Sequence, residues 1–168
     1  MKKYFLTLLV VLLVLSGCTA GNIRYDDPVK FYYIQNEVEY GTQSGVIKET
    51  TREAKGHRND YTYLINQYLN GPISYDCISP FPAGTALEEL SWDQNRVQII
   101  LSPHIATLSG ADLIVACACL TKTVADITGI QTVQIRAQGS LLNGEEVLVL
   151  STDSFDYWDQ SGASDSFD

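Results

Sequence analysis

The residues best placed to do chemistry in this chain are Leu15-Ser16-Gly17-Cys18, and the chemistry is thioether formation with a lipid. They close an apolar N-terminal run that begins after Met1-Lys2-Lys3. Positive start, apolar stretch from Tyr4 to Leu15, then two small residues and a cysteine make a lipobox. The run is too short to span a bilayer, so it reads as a processed signal (residues 1–17) and not as a transmembrane helix. Cys18 is then the lipidation site and the first mature residue, and two or more acyl chains anchor stably where one does not. The alternative is an ordinary secretory signal in which Cys18 is incidental. Charge, apolar length and lipobox agree against it. The expected location is the extracytoplasmic face of a cell membrane.

The remaining reactive side chains are sparse. Only His57 and His104 are of a residue type that could serve as a base at neutral pH, one in a polar connector and the other beside Pro103 after a strand. There is no G-x-S-x-G, no glycine-rich phosphate loop and no H-E-x-x-H. Glu88-Glu89 and Glu145-Glu146 are adjacent pairs, whose members point to opposite sides of a strand or turn, and they read as solvated charge. Cys77, Cys117 and Cys119 allow at most one disulfide and do not form a zinc pattern. Free buried thiols are the default reading, with a bridge from Cys77 to Cys117 or Cys119 as the alternative. No catalytic, metal or cofactor residue is expected. Tyr32, Tyr33, Tyr61, Tyr63 and Tyr68 are candidates for an exposed contact patch, with core lining as the competing reading.

Charge narrows the partners. The chain has 168 residues with 11 basic and 20 acidic, a net charge of −9. Loss of Lys2 and Lys3 with the signal moves this to −11. Such a surface repels nucleic acid and anionic headgroups, so the domain is expected to stand off the membrane on its tether; solubility alone is the competing reading of the charge.

The elements that must carry these residues follow from periodicity. After a tether (residues 18–28), Val29 to Ile34 reads as a strand, and Val46 to Arg52 as a second, edge-like strand. Asn36 to Gly45 has turn residues and no period. Tyr61, Leu64, Ile65, Tyr68 and Leu69 share one helical face, capped by Asn59 or Asp60 and stopped by Gly71-Pro72. Ile73 to Gly84 is a constrained loop. Thr85 to Trp92 and Arg96 to Leu101 read as strands joined by Asp93-Gln94-Asn95. A second helix spans Ala111 to Thr128, with Ser109 and Asp112 as a capping-box variant, Leu113, Cys117, Leu120, Val124 and Ile127 as its buried stripe, and Gly129 as its end. Thr132 to Ala137 alternates cleanly, and Asn143-Gly144 turns into a last strand, Val147 to Leu150. The order predicts an α+β single domain: a mixed β-sheet covered on one face by two helices.

The strand Val29-Lys30-Phe31-Tyr32-Tyr33, the helix ending Tyr68-Leu69-Asn70-Gly71-Pro72 and the loop Ser79-Pro80-Phe81-Pro82-Ala83-Gly84-Thr85-Ala86-Leu87 resemble the GerMN domain family of sporulation and spore-germination proteins. The strand Arg96 to Ser102, the long helix and Thr132 to Ile135 follow in the family's order. The resemblance covers Asp27 to Phe155 and places the domain at residues 29–156. The first strand-to-helix connection is longer and more polar than the family pattern, and the Gly-His-rich ending of some members is missing. The resemblance implies a non-enzymatic domain, similar to ring-building motifs of envelope assemblies. It carries over no catalytic residues. The implied role is a lipid-anchored assembly module with a protein partner, self-association included. The runner-up is a lipoprotein that binds a ligand or cell-wall fragment. Residues 157–168, with Thr152 to Asp156 nearly repeated as Ser164 to Asp168, read as an acidic tail without a fold of its own.

Overall fold

A computed structural model describes residues 26–36 and 46–154. The signal segment, Cys18, the tether up to residue 25, the connection 37–45 and the tail from Phe155 lie outside the described residues.

Alternation builds the first sheet. Strand β1 (Pro28–Gln35) buries Val29, Phe31 and Tyr33, each at 1% exposure or less, and turns Lys30 to solvent. Strand β2 (Ile47–Glu53) pairs antiparallel with it, Phe31 opposite Thr50 and Tyr33 opposite Lys48. It ends the sheet, as the edge-like reading of this segment expected. Helix α1 (Tyr61–Leu69) starts at Asp60, whose carboxylate accepts from the Tyr63 amide at 2.9 Å. It buries Leu64, Ile65 and Tyr68 against the β1 aromatics. The Tyr68 ring stacks on Tyr33 at 5.0 Å and meets Phe31 edge-on at 5.7 Å. Gly71, at φ +90°, turns the chain away. Arg52 locks the arrangement from below. Its guanidinium lies over Phe31 and Tyr33 and donates to the Gln67 and Gly71 carbonyls, a cation at the negative end of α1.

The segment read as a loop holds a two-residue strand, β3 (Cys77–Ile78), paired with Ile34 and Gln35. Its short length gives no periodic signal, and only its partner defines it. Strands β4 (Leu87–Trp92) and β5 (Arg96–Leu101) flank a turn in which Asp93 accepts from the Asn95 and Arg96 amides. β4 begins two residues later than expected, because Thr85 and Ala86 belong to the preceding loop. A 3-10 turn (Pro103–Thr107) leads to helix α2 (Gly110–Thr128), which ends on Gly129 in the left-handed conformation. Ser109 precedes α2 but makes no side-chain cap bond, so the capping-box variant does not form. Strand β6 (Thr132–Ala137) then returns parallel to β5, and β7 (Leu148–Ser151) pairs antiparallel with β6. Asn143 and Gly144 both take positive φ, and Leu142 and Glu145 exchange main-chain hydrogen bonds across them, as a type I′ hairpin turn requires.

The fold is α+β, as expected, with its strands shared between two sheets: β2-β1-β3 and β4-β5-β6-β7. The division has a physical cause. On the side of β1 away from β2, the Tyr32 amide donates to Thr123 Oγ1 at 3.0 Å, and the Lys30 amide to Asp126 Oδ2 at 3.3 Å. The Tyr68 hydroxyl donates to the Tyr32 carbonyl at 3.0 Å. Side chains of two helices thus occupy the positions that another strand would need. Helix α2 packs on β1 and on β6, and one core joins both sheets. Its expected stripe is buried, and so are Ala116, Cys119, Thr121 and Thr123, because α2 is covered on more than one side.

Candidate interaction site

The two histidines are held by structure. The His57 ring stacks on Tyr63 at 3.9 Å, with Nδ1 3.7 Å from the Asp60 carboxylate that caps α1. Exposed His104 has Nδ1 3.3 Å from the hydroxyl of buried Ser102. That hydroxyl also accepts from the Ala86 amide at 3.0 Å and lies 3.3 Å from the Gly84 carbonyl. A Ser–His pair needs a carboxylate to orient the imidazole, and among the described residues none pairs with His104. Its other side is filled: a Cβ on Gly84 would sit 3.2 Å from Nε2. Among the described residues no carboxylate is buried and no three-ligand metal cluster occurs. Glu88, Glu89, Glu145 and Glu146 are exposed.

The loop that carried the family resemblance is a clamp. Ser79 Oγ accepts from the Phe81 amide at 3.2 Å. Phe81 is buried, edge-on to Tyr68 at 5.9 Å. Thr85 donates to the Pro82 carbonyl through both amide and hydroxyl, and Gly84 takes φ +86°. The Ser102 amide then ties the loop to β5 through the Ala86 carbonyl at 2.8 Å. Its hydroxyls are spent on its own shape. Beside it lies a shallow cavity of about 470 Å³ floored by Leu69, Phe81 and Pro82.

Cys77, Cys117 and Cys119 are free and buried. Burial pushes the Cys117 and Cys119 thiols up to about 12 and raises Cys77 as well, so all three are protonated and poorly nucleophilic at neutral pH. The five tyrosines do not form one patch. Tyr33 and Tyr68 lie in the core, and burial raises both phenols. Tyr61 packs edge-on to Trp92 at 5.3 Å, Tyr63 stacks on His57, and Tyr32 lies under the Lys122 ammonium at 5.5 Å.

A second concavity among the described residues was not foreseen. It is a groove of about 540 Å³ between β2 and α1, lined by Thr50, Thr51, Arg52, Tyr63, Gln67 and Ile73, with Glu53, Lys55 and Ser74 at its rim. Arg52 and Lys55 outweigh Glu53 here, in a chain of net charge −9. Among the described residues no carboxylate lies within 4.0 Å of Arg52. Ile73 is 78% exposed. The groove combines apolar, hydroxyl, amide and cationic groups, which suits binding better than bond making. Its residues come from three separate segments, and only β2 was legible as an exposed edge.

Comparison with known proteins bears on the whole domain. The family model described as Germane, sporulation and spore germination, matches residues 30–143. The solved tandem GerMN domains of the sporulation protein GerM from Bacillus subtilis superpose with a TM-score of 0.58 at 20% identity, over 79% of this chain and 49% of that one. The chain therefore spans about half the length of that structure. A candidate lipoprotein from Clostridium perfringens aligns over 86% of this chain and 100% of that one, at 17% identity and a TM-score of 0.49. No curated protein matches the chain.

Proposed function

Because the chain belongs to the Germane family of sporulation and spore germination domains, we propose that it is a lipid-anchored, extracytoplasmic binding module that docks a protein partner in an envelope assembly. The family match from Lys30 to Asn143 is the observation that carries the reading. The lipobox ending at Cys18 supports the anchor. Among the described residues no helix is long and apolar enough to cross a membrane. The site chemistry supports docking over catalysis. The Ser79 and Thr85 hydroxyls are engaged in holding a loop, Ser102 is engaged by that loop, and the buried thiols are protonated.

Metabolic labelling with a clickable palmitate tests the anchor. The wild-type protein takes up label and sediments with membranes, and Cys18→Ala abolishes both. Crosslinking on intact cells followed by purification tests docking: a defined protein is enriched by wild type and lost with Cys18→Ala. Retention of the unlabelled variant on membranes, with no partner enriched, refutes the reading. A second reading, capture of a cell-wall fragment, draws on the β2–α1 groove and the cavity beside Phe81. Purified muropeptides then raise Tm with concentration; a flat response removes it.

A further inference from the structure

The outer edge of β2 differs from every other strand edge described. β3 is two residues long and β7 four. β4 carries a register irregularity between Leu87 and Glu89, a device that blunts an edge. β2 has seven residues, regular pairing throughout and no proline. Its hydrogen-bonding parity is fixed at both ends. The Gln35 amide donates to the Val46 carbonyl at 2.9 Å and the Ala54 amide to the Asp27 carbonyl at 2.8 Å. Between these, every second pair faces inward, so Lys48, Thr50 and Arg52 turn their main-chain groups to β1. The amides and carbonyls of Ile47, Glu49, Thr51 and Glu53 therefore point from the free edge, and among the described residues no strand takes them. The β2–α1 groove opens alongside.

We propose that β2 is a β-augmentation edge that receives an extended segment of a partner protein, with an acidic side chain facing Thr50 and a basic one facing Thr51. Main-chain bonds to Glu49, Thr51 and Glu53 supply affinity, and alternate side chains supply choice. On the groove face, a residue opposite Thr50 has Lys48 and Arg52 as its diagonal neighbours; Lys48 is already paired with Asp76, so Arg52, which has no carboxylate partner among the described residues, is the cation left for an acidic side chain. On the other face, a residue opposite Thr51 lies between Glu49, already paired with Lys30 at 3.0 Å, and Glu53, which is the carboxylate left for a basic side chain. These diagonal distances are within reach of long side chains.

A second copy of this chain fits this edge poorly. Two-fold antiparallel pairing keeps the sheet faces in common, so residues of like parity meet. Centred on Thr50 it sets Lys48 against Arg52; centred on Thr51 it sets Glu49 against Glu53. Both registers oppose like charges, which disfavours pairing. The edge is guarded against itself and open to a complementary strand.

This inference rests on the reading of the chain as a binding module, and its test leaves Cys18 untouched, so the two fail separately. The probe is a blocked, fluorescent decapeptide of alternating Thr and Val with a central Lys-Asp pair, titrated by anisotropy. It binds, and the same peptide with Lys-Lys at its centre binds about tenfold more weakly, on the scale of one close charge pair. Thr51→Pro removes a free-edge amide and no ladder bond, and weakens binding at least about fivefold. N-methylation of alternate peptide amides does the same without altering the protein. Equal affinity for both peptides overturns the charge assignment. Full affinity in Thr51→Pro and for the N-methylated peptide overturns the edge. Sedimentation showing a dimer that Thr51→Pro dissociates replaces the partner with a second copy.

Discussion

The three-stranded sheet has two sides that solve one problem in opposite ways. On one side of β1 the main-chain groups of Lys30 and Tyr32 are taken by Asp126, Thr123 and Tyr68 side chains from two helices. On the far side of β2 the corresponding groups of Glu49, Thr51 and Glu53 meet no strand among the described residues. A buried main-chain donor or acceptor must be paired, whereas an exposed one has water. The closed side is therefore a tertiary construction, vulnerable to loss of Thr123 or Tyr68, whose bonds are shielded from water, and less so to loss of Asp126, whose bond to the Lys30 amide is exposed. The open side rests only on the ladder to β1 and tolerates change.

Alkaline titration separates the two sides most strongly. Tyr68, Cys117 and Cys119 cluster behind the closed side, and their ionisation is suppressed chiefly by burial. Folded pKa values above the unfolded ones mean that the stability is fully present below the unfolded values, near 9 for the thiols and 10 for the phenols. It is lost as pH rises through the folded ones. Denaturant midpoints are expected to hold to about pH 9 and to fall steeply towards pH 12. A midpoint unchanged at pH 11 contradicts burial of these groups. Substitution reads the same side. Tyr68→Ala removes a ring packed on Phe31, Tyr33 and Phe81 together with the bond to the Tyr32 carbonyl, and is expected to cost about 3–5 kcal/mol by chemical denaturation.

Two threonines on α2 sharpen the contrast. Thr123 is fully buried and accepts from the Tyr32 amide, while its hydroxyl also serves the Tyr68 phenol. Thr123→Val keeps the shape and strands a strand amide, a loss of about 1–3 kcal/mol. Thr121 is equally buried, and its hydroxyl has no partner among the described residues. Thr121→Val is expected to leave stability unchanged or raise it by about 1 kcal/mol. The same chemical change two residues apart thus has opposite signs, and equal destabilisation of both variants would break the account of the closed side.

The sequence was legible where structure is local. The alternation of β1, β5 and β6, the apolar face of α1, and the turn at Asn143-Gly144 all follow from neighbours within a few residues. The misses are long-range. β3 exists because Ile34 and Gln35 offer it partners. Thr123 looks like a solvent-facing residue until β1 lies against it, and the split into two sheets follows from that contact. Arg52 read only as one charge on an edge strand, since its carbonyl partners Gln67 and Gly71 lie in the next helix and beyond its end. The groove escaped notice for the same reason: Thr50, Tyr63 and Ile73 meet only after folding. The loop from Ser79 to Leu87 was recognised as a motif, but only its geometry shows that the motif shapes the chain and leaves no free hydroxyl for chemistry.

The smallest expected effect is the one that tests the open side directly. Thr51→Pro inserts the residue least compatible with a sheet into the middle of β2. In a central strand it would cost a ladder bond and distort the pairing. Here the Thr51 amide points away from β1, and the fixed proline φ lies within the extended range, so the expected change is below about 0.5 kcal/mol in denaturant unfolding. Thr50→Pro, one residue earlier, removes an amide that faces Phe31 across the ladder, and a loss of about 3 kcal/mol or more is expected. A small difference between these variants would mean that β2 is paired on both sides. The contrast between the sheet's two edges would then disappear, and with it the edge available to a partner strand.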